Sequence, residues 1–144
     1  VIELTDQPID YEQVTEAARD NRAGAVVLFL GTVREFTGDS QTVALDYEAY
    51  REMAEAKMRE LKDEAVQRFP VINAAIVHRV GNLQLGDVCV AIAVSTPHRP
   101  DAFAAGKWMI DTLKEKVPIW KRENYVDGRV EWVHPVDSAS GDDE

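Results

Sequence analysis

Two uninterrupted apolar runs constrain the fold of this chain more than any other feature: Ala25-Val26-Val27-Leu28-Phe29-Leu30 and Val88-Cys89-Val90-Ala91-Ile92-Ala93-Val94. Bounded by glycine and turn residues, both read as buried strands, the first of them central to its sheet. Strands of this kind need other elements to cover them. Both runs also end on cations. Gly31-Thr32-Val33 carries the first to Arg34, and Ser95-Thr96-Pro97 carries the second to His98-Arg99. Because buried strands fix the residues at their ends, Arg34, His98 and Arg99 are expected on a rigid scaffold.

The flanking sequence alternates between helical and strand periods. Asp10 and Gln13 have capping-box spacing, which predicts a helix from there to about Arg19. After a polar loop at Thr37–Ser40, Val43, Leu45, Tyr47 and Ala49 alternate with Thr42, Asp46 and Glu48, predicting a strand that pairs with the first apolar run as a hairpin. Tyr50, Met53, Ala54, Met58, Leu61, Ala65 and Phe69 then form a helical stripe that Pro70 ends, with Met53 and Met58 expected in the core. Ile72, Ala74, Ile76 and Val80 return to strand alternation, and Asn82 to Gly86 reads as a turn. Pro100 and Asp101 suit the start of a helix whose buried face is Phe103, Ile110, Leu113 and Val117, and Pro118 stops it. Asp127-Gly128 marks a turn before a short strand with Val130, Trp132 and His134. The expected fold class is α+β: a two-layer sandwich with helices on one face of a mainly antiparallel sheet, plus short C-terminal strands. It is expected as one domain over residues 1–137, followed by a disordered acidic tail at 138–144.

Charge narrows the function. The chain has 144 residues and a formal net charge of -10, which argues against nucleic-acid binding. No apolar run reaches membrane-spanning length and no signal-peptide pattern opens the sequence, so a cytoplasmic protein is expected. A single cysteine, Cys89, excludes an intrachain disulfide and a Cys-rich zinc site, and reads as a buried structural thiol. No metal or cofactor is expected. Against this acidic background, Lys107 to Arg122 holds five basic residues (Lys107, Lys114, Lys116, Lys121, Arg122) and two acidic ones (Asp111, Glu115), a local balance of +3. An anionic ligand is the natural reason for such an island.

Individual residues admit more than one reading. Lys114 lies at the margin of the Phe103–Ile110–Val117 stripe. A desolvated lysine offering a neutral amine fits that position, and so does one whose stem covers the core edge. Lys121 follows the stiff Pro118-Ile119-Trp120 segment. Arg34 and Arg99 singly fit surface ion pairs, whereas three cations at two apolar strand ends fit an anion site, helped at His98-Arg99 by a helix N-terminus. His78 and His134 read as structural, and Asp46 and Glu48 as solvated. No Ser–His–Asp signature or glycine-rich phosphate loop is present.

Five motifs in order carry a resemblance: Gly31-Thr32-Val33-Arg34, Leu45-Asp46-Tyr47-Glu48-Ala49-Tyr50, His78-Arg79-Val80-Gly81, Pro97-His98-Arg99, and Leu113-Lys114 through Pro118-Ile119-Trp120-Lys121-Arg122-Glu123. Together they resemble the large, catalytic subunit of molybdopterin synthase, from about Gly24 to Trp132. The resemblance implies an α/β hammerhead with added antiparallel strands. It also implies sulfurtransferase activity, forming the dithiolene of molybdopterin from cyclic pyranopterin monophosphate (precursor Z) in molybdenum cofactor biosynthesis. Sulfur would come from the thiocarboxylated Gly-Gly tail of a small ubiquitin-like carrier subunit. The implied assembly is a heterotetramer around a homodimer of large subunits. By the same resemblance Lys114 and Lys121 are the catalytic lysines, and Arg34, His98 and Arg99 bind substrate, flanked by Thr32, Val33, Arg122 and Glu123. Two other classes compete: a non-catalytic module that docks a ubiquitin-like tail or phosphate metabolite, and a different phosphate-handling enzyme.

Overall fold

A computed structural model describes residues 1–133. The chain runs β1 (Ile2–Thr5), α1 (Tyr11–Ala18), β2 (Ala25–Thr32), β3 (Phe36–Thr37), β4 (Ser40–Ala49), α2 (Arg51–Arg68), β5 (Asn73–Arg79) and β6 (Gly81–Gln84). It continues through β7 (Val88–Thr96), α3 (Arg99–Lys116), β8 (Ile119–Tyr125) and β9 (Val130–Val133). Two sheets result. One has the order β1-β5-β7-β2, antiparallel except where β1 lies parallel to β5. In the other, the order is β3-β4-β8-β9, and β6 also pairs with β4. The α+β class is therefore as expected. No helix among the described residues is long and apolar enough to cross a membrane.

The two apolar runs are neighbours, β2 pairing with β7 from Ala25 opposite Thr96 to Thr32 opposite Val88. This corrects two expectations. β2 is the outer strand of its sheet rather than a central one, and its partner is β7 rather than β4. The continuous hydrophobicity of β2 reflects helices on both faces, not strands on both edges. On one face Val90, Ile92 and Val94 of β7 and Ala74 and Ile76 of β5 meet α2 and α3; on the other, Ala91, Ala93, Ala75 and Val77 meet Val14 and Ala18 of α1. Helices thus cover both faces of the first sheet, not one. Alternate residues of a strand point to opposite faces, so a strand covered twice shows no polar alternation.

Local signals account for most boundaries. The Asp10 side chain accepts from Gln13 N at 3.2 Å and caps α1. Pro100 lies in the first turn of α3, where its missing N–H has no intrahelical role. Gly24 enters β2 with its N–H shared by the carbonyls of Thr96 and Pro97, and a Cβ there would lie 2.5 Å from Pro97 O.

Several side chains depart from the periodic reading. The register between β4 and β8 shifts between Thr42 and Ala44, so Thr42 is buried and Val43 exposed, the reverse of the expected alternation. Met53 is 55% exposed while Met58 is fully buried, and Phe103 is 64% exposed. In α3 the buried stripe passes instead through Ala102, Ala105, Gly106, Met109, Ile110 and Leu113. Residues 82–84, within the turn expected from Asn82 to Gly86, belong to β6. The strands β1 and β8 lacked a clean hydrophobic period and were not anticipated. His134, the domain end at 137 and the acidic tail lie outside the described residues.

Candidate functional site

A cavity of about 260 Å³ opens where the two sheets meet the C-terminal end of α3. The first sheet contributes Gly31, Thr32, His78, Cys89 and Val90, and Arg34 stands just beyond β2. Leu45 and Tyr47 come from β4, and Ile119, Lys121 and Glu123 from β8. Ile110, Leu113 and Lys114 of α3 form the third wall.

Lys114 is delivered by helical phase. Ile110 and Leu113 are buried, and Lys114 follows one position round the helix, half-buried at the cavity edge. Its place in the last turn also complements the negative end of the helix. Lys121 is delivered by strand alternation. Ile119, Lys121, Glu123 and Tyr125 share the inward face of β8, so the second lysine points at the space the first one borders. The Lys121 side chain is only 14% exposed and lies 3.9 Å from the Glu123 carboxylate, itself 8% exposed. The Thr42 hydroxyl donates to the other Glu123 oxygen at 3.4 Å. The bulge that turned Thr42 inward therefore supplies a partner for a buried carboxylate.

Arg122 is on the opposite face of β8. It grips Asp46 through Nε at 3.0 Å and Nη2 at 2.7 Å, and its guanidinium lies over Trp132. Asp46 is consequently not a solvated strand residue. Burial raises its pKa, but hydrogen bonds from Asn82, Asn124 and Arg122 outweigh that and hold it below the usual carboxylate range. Val33 is buried in the core, its N–H donating to Asp87 O and its carbonyl accepting from Gly86. Neither Arg122 nor Val33 lines the cavity. Nor do His98 and Arg99, which are exposed at the start of α3. At 1.5 Å per residue the helix sets them roughly 22 Å from Lys114. The cavity thus brings together Thr32, Arg34, Lys114, Lys121 and Glu123 of the expected residues, and leaves Val33, His98, Arg99 and Arg122 outside.

Of the lining residues with titratable side chains, three were not anticipated there: Tyr47, His78 and Cys89. Burial pushes the Cys89 thiol up, opposed by a hydrogen bond with Tyr47 and the charges of Lys114 and Lys121. Burial pushes His78 down to about 4, assisted by Lys114 and opposed by the backbone of Arg79. The only sequence signal was that Tyr47 and His78 fall inside ordered motifs, since hydropathy alone files both as core. Among the described residues, no group of three or more His, Cys, Asp or Glu side chains could hold a metal ion.

Fold and cavity define a class: a two-sheet α+β domain that turns one lysine from a helix end and another from a strand onto a single anion-attracting pocket. The chain belongs to the MoaE protein family, whose model matches residues 4–116. It is 46% identical over 130 residues to the molybdopterin synthase catalytic subunit of Halalkalibacterium halodurans, covering 90% of this chain and 83% of that one. A crystal structure of molybdopterin synthase from Staphylococcus aureus superposes with a TM-score of 0.87 at 45% identity, covering 92% of this chain and 96% of that one. In a complex of subunits 1 and 2 of the molybdopterin-converting factor from Helicobacter pylori, one chain shares the fold, with a TM-score of 0.72 at 18% identity and coverage of 93% and 90%.

Proposed function

We propose that this chain is the catalytic subunit of a molybdopterin synthase, acting in the cytoplasm to transfer sulfur from a thiocarboxylated ubiquitin-like carrier to precursor Z. The observation that carries the proposal is the convergence of Lys114 and Lys121 on one cavity, with Arg34 at its mouth. The relatives' descriptions as molybdopterin synthase catalytic subunits support it. A thiocarboxylate and a phosphorylated pterin are both anions. Two unit charges at 4 Å repel by about 4 kcal/mol at the effective dielectric of a protein surface, so their encounter needs cations in place beforehand. Once the thiocarboxylate sulfur has bonded to the substrate as a thioester, attack of water at the carrier's carbonyl carbon builds a tetrahedral, negatively charged centre, which preorganised ammonium groups stabilise. Its collapse breaks the acyl–sulfur bond, releasing the carrier as a carboxylate and leaving the sulfur on the substrate. Lys114 takes the main role at the junction of tail and substrate, as electrostatic stabiliser or proton-transfer group. Lys121 is the second cation, held by Glu123. Thr32 and Arg34 receive the phosphate end. Val33 and Arg122 act indirectly, the first by anchoring the chain after β2 and the second by locking β8 to β4.

His98 and Arg99 serve the site of a second copy in this reading. The outer edge of β2 offers backbone N–H and C=O groups that pair with no other described strand. Antiparallel pairing of two copies along it would set the start of one β2 beside the end of the other. Pro97 lies against Gly24 at that start, and Arg34 lies past that end. The assembly is then a homodimer with a carrier subunit on each side, a heterotetramer. Mixing the chain with thiocarboxylated carrier and precursor Z tests the function: molybdopterin forms if the reading is right, and no product from a competent carrier refutes it. A carrier bound without turnover would instead mark a docking module.

A further inference from the structure

The cavity floor differs chemically from its rim. Arg34 is exposed and Lys114 half-buried, so these cations make the rim, with the more buried Lys121 behind them. His78 is instead buried on the floor, its ring edge to face with that of Tyr47, centroids 5.2 Å apart. His78 is 4% exposed, yet it lines the cavity. Its Nδ1 lies 2.8 Å from the Arg79 carbonyl oxygen. A carbonyl can only accept, so Nδ1 carries the hydrogen. Burial and the neighbouring Lys114 charge keep the ring neutral, with its pKa pushed down to about 4. The other nitrogen, Nε2, then has no hydrogen and is an acceptor on the ring edge remote from the β5 backbone. The remaining ionisable groups facing this space are Arg34 from just beyond β2, Tyr47 from β4, Cys89 from β7, Lys114 from α3, and Lys121 and Glu123 from β8.

We propose that His78 is a substrate-recognition residue, its Nε2 accepting an N–H of the substrate's heterocycle while the cationic rim holds the phosphate. The inference rests on the synthase reading and deepens it by giving the substrate an orientation. A neutral acceptor beside an aromatic edge suits a planar, uncharged ring that carries N–H donors, as a pterin does. An anionic thiocarboxylate would find no donor on that ring edge, because Nε2 can only accept. The two ligands therefore divide the cavity by charge: heterocycle on the floor, anions at the rim. A site built to pair one N–H loses more when that partner is removed than an apolar contact would, since the ligand's donor is then buried unpaired.

His78→Phe keeps the ring volume and removes the acceptor, whereas His78→Gln restores an amide oxygen near the Nε2 position. Steady-state turnover with each variant, varying precursor Z and carrier separately, reads the two ligands independently. His78→Phe is expected to raise KM for precursor Z about tenfold with KM for the carrier unchanged, and His78→Gln to recover most of the loss. Equal effects on both ligands, an effect on the carrier alone, or no effect in a folded variant would overturn the proposal. A second arm needs no turnover: 15N spectra of the labelled protein titrated with 6-carboxypterin. Displacement of the His78 Nε2 resonance in the parent supports the proposal, and an unmoved resonance at saturating pterin refutes it. Parent protein that binds pterin through His78 but yields no product would defeat the synthase reading and leave the site standing.

Discussion

The two lysines of the cavity are held differently, and that difference predicts different failures. Lys121 faces a carboxylate that is 8% exposed, so removing the lysine leaves Glu123 buried with, among the described residues, a long bond from Thr42. Lys121→Ala should cost about 1–3 kcal/mol of stability as well as activity, read by denaturant unfolding. Adding Glu123→Leu should return stability without returning activity. His78 gives a pH prediction at the same scale. Its folded-state pKa of about 4 lies below the ordinary 6.5, so the unfolded chain binds the proton first as pH falls. Its contribution is intact above pH 6.5 and erodes by about 3 kcal/mol in total as pH drops to 4. In His78→Gln that component of the pH slope should vanish, as urea unfolding at stepped pH would show.

At the scale of elements, α3 does two jobs: it covers the first sheet with small residues and presents Lys114 from its last turn. Close packing on the sheet explains why the buried stripe is built from Ala102, Ala105 and Gly106, and why Phe103 points outward. Gly106 itself is not required by space. A Cβ there would meet Val27 at 3.5 Å and Val94 at 3.7 Å, which are ordinary contacts. Gly106→Ala should therefore stabilise the protein by about 1 kcal/mol, seen as a rise of a few degrees in Tm, with activity unchanged. Helical phase makes Lys114 legible in the sequence, because the Ile110–Val117 stripe fixes which way it leans. Lys121 is harder to place: Ile119-Trp120-Lys121-Arg122-Glu123 mixes apolar and charged residues on both faces, and nothing local marks it as the strand beside β4. The ordered motifs single out the residue, and pairing of Tyr47 with Lys121 places it.

At the scale of the whole molecule, the site exists because two sheets meet, and long-range meetings are what sequence patterns convey least. The apolar runs mark two buried strands, but not that they pair with each other or that helices close both faces. Rigid delivery of cations at strand ends holds for Arg34, which reaches the cavity. His98 and Arg99 end an equally rigid strand and lie at the far end of α3, outside the cavity of their own chain. That separation is the physical motive for the two-copy site proposed above. Leu28→Lys, which places a charge on the apolar outer strand, should weaken self-association. Analytical ultracentrifugation should find more monomer than in the parent, and precursor Z affinity should fall with it. Unchanged self-association would move the proposed interface elsewhere.

In the proposed reaction Lys114 acts where carrier tail and substrate meet. Single-turnover molybdopterin formation, parent against Lys114→Ala, tests it most directly. The parent should convert precursor Z, and Lys114→Ala should form almost no dithiolene while unfolding at nearly the same temperature and still binding the carrier. Near-parental turnover by Lys114→Ala would remove Lys114 from the mechanism.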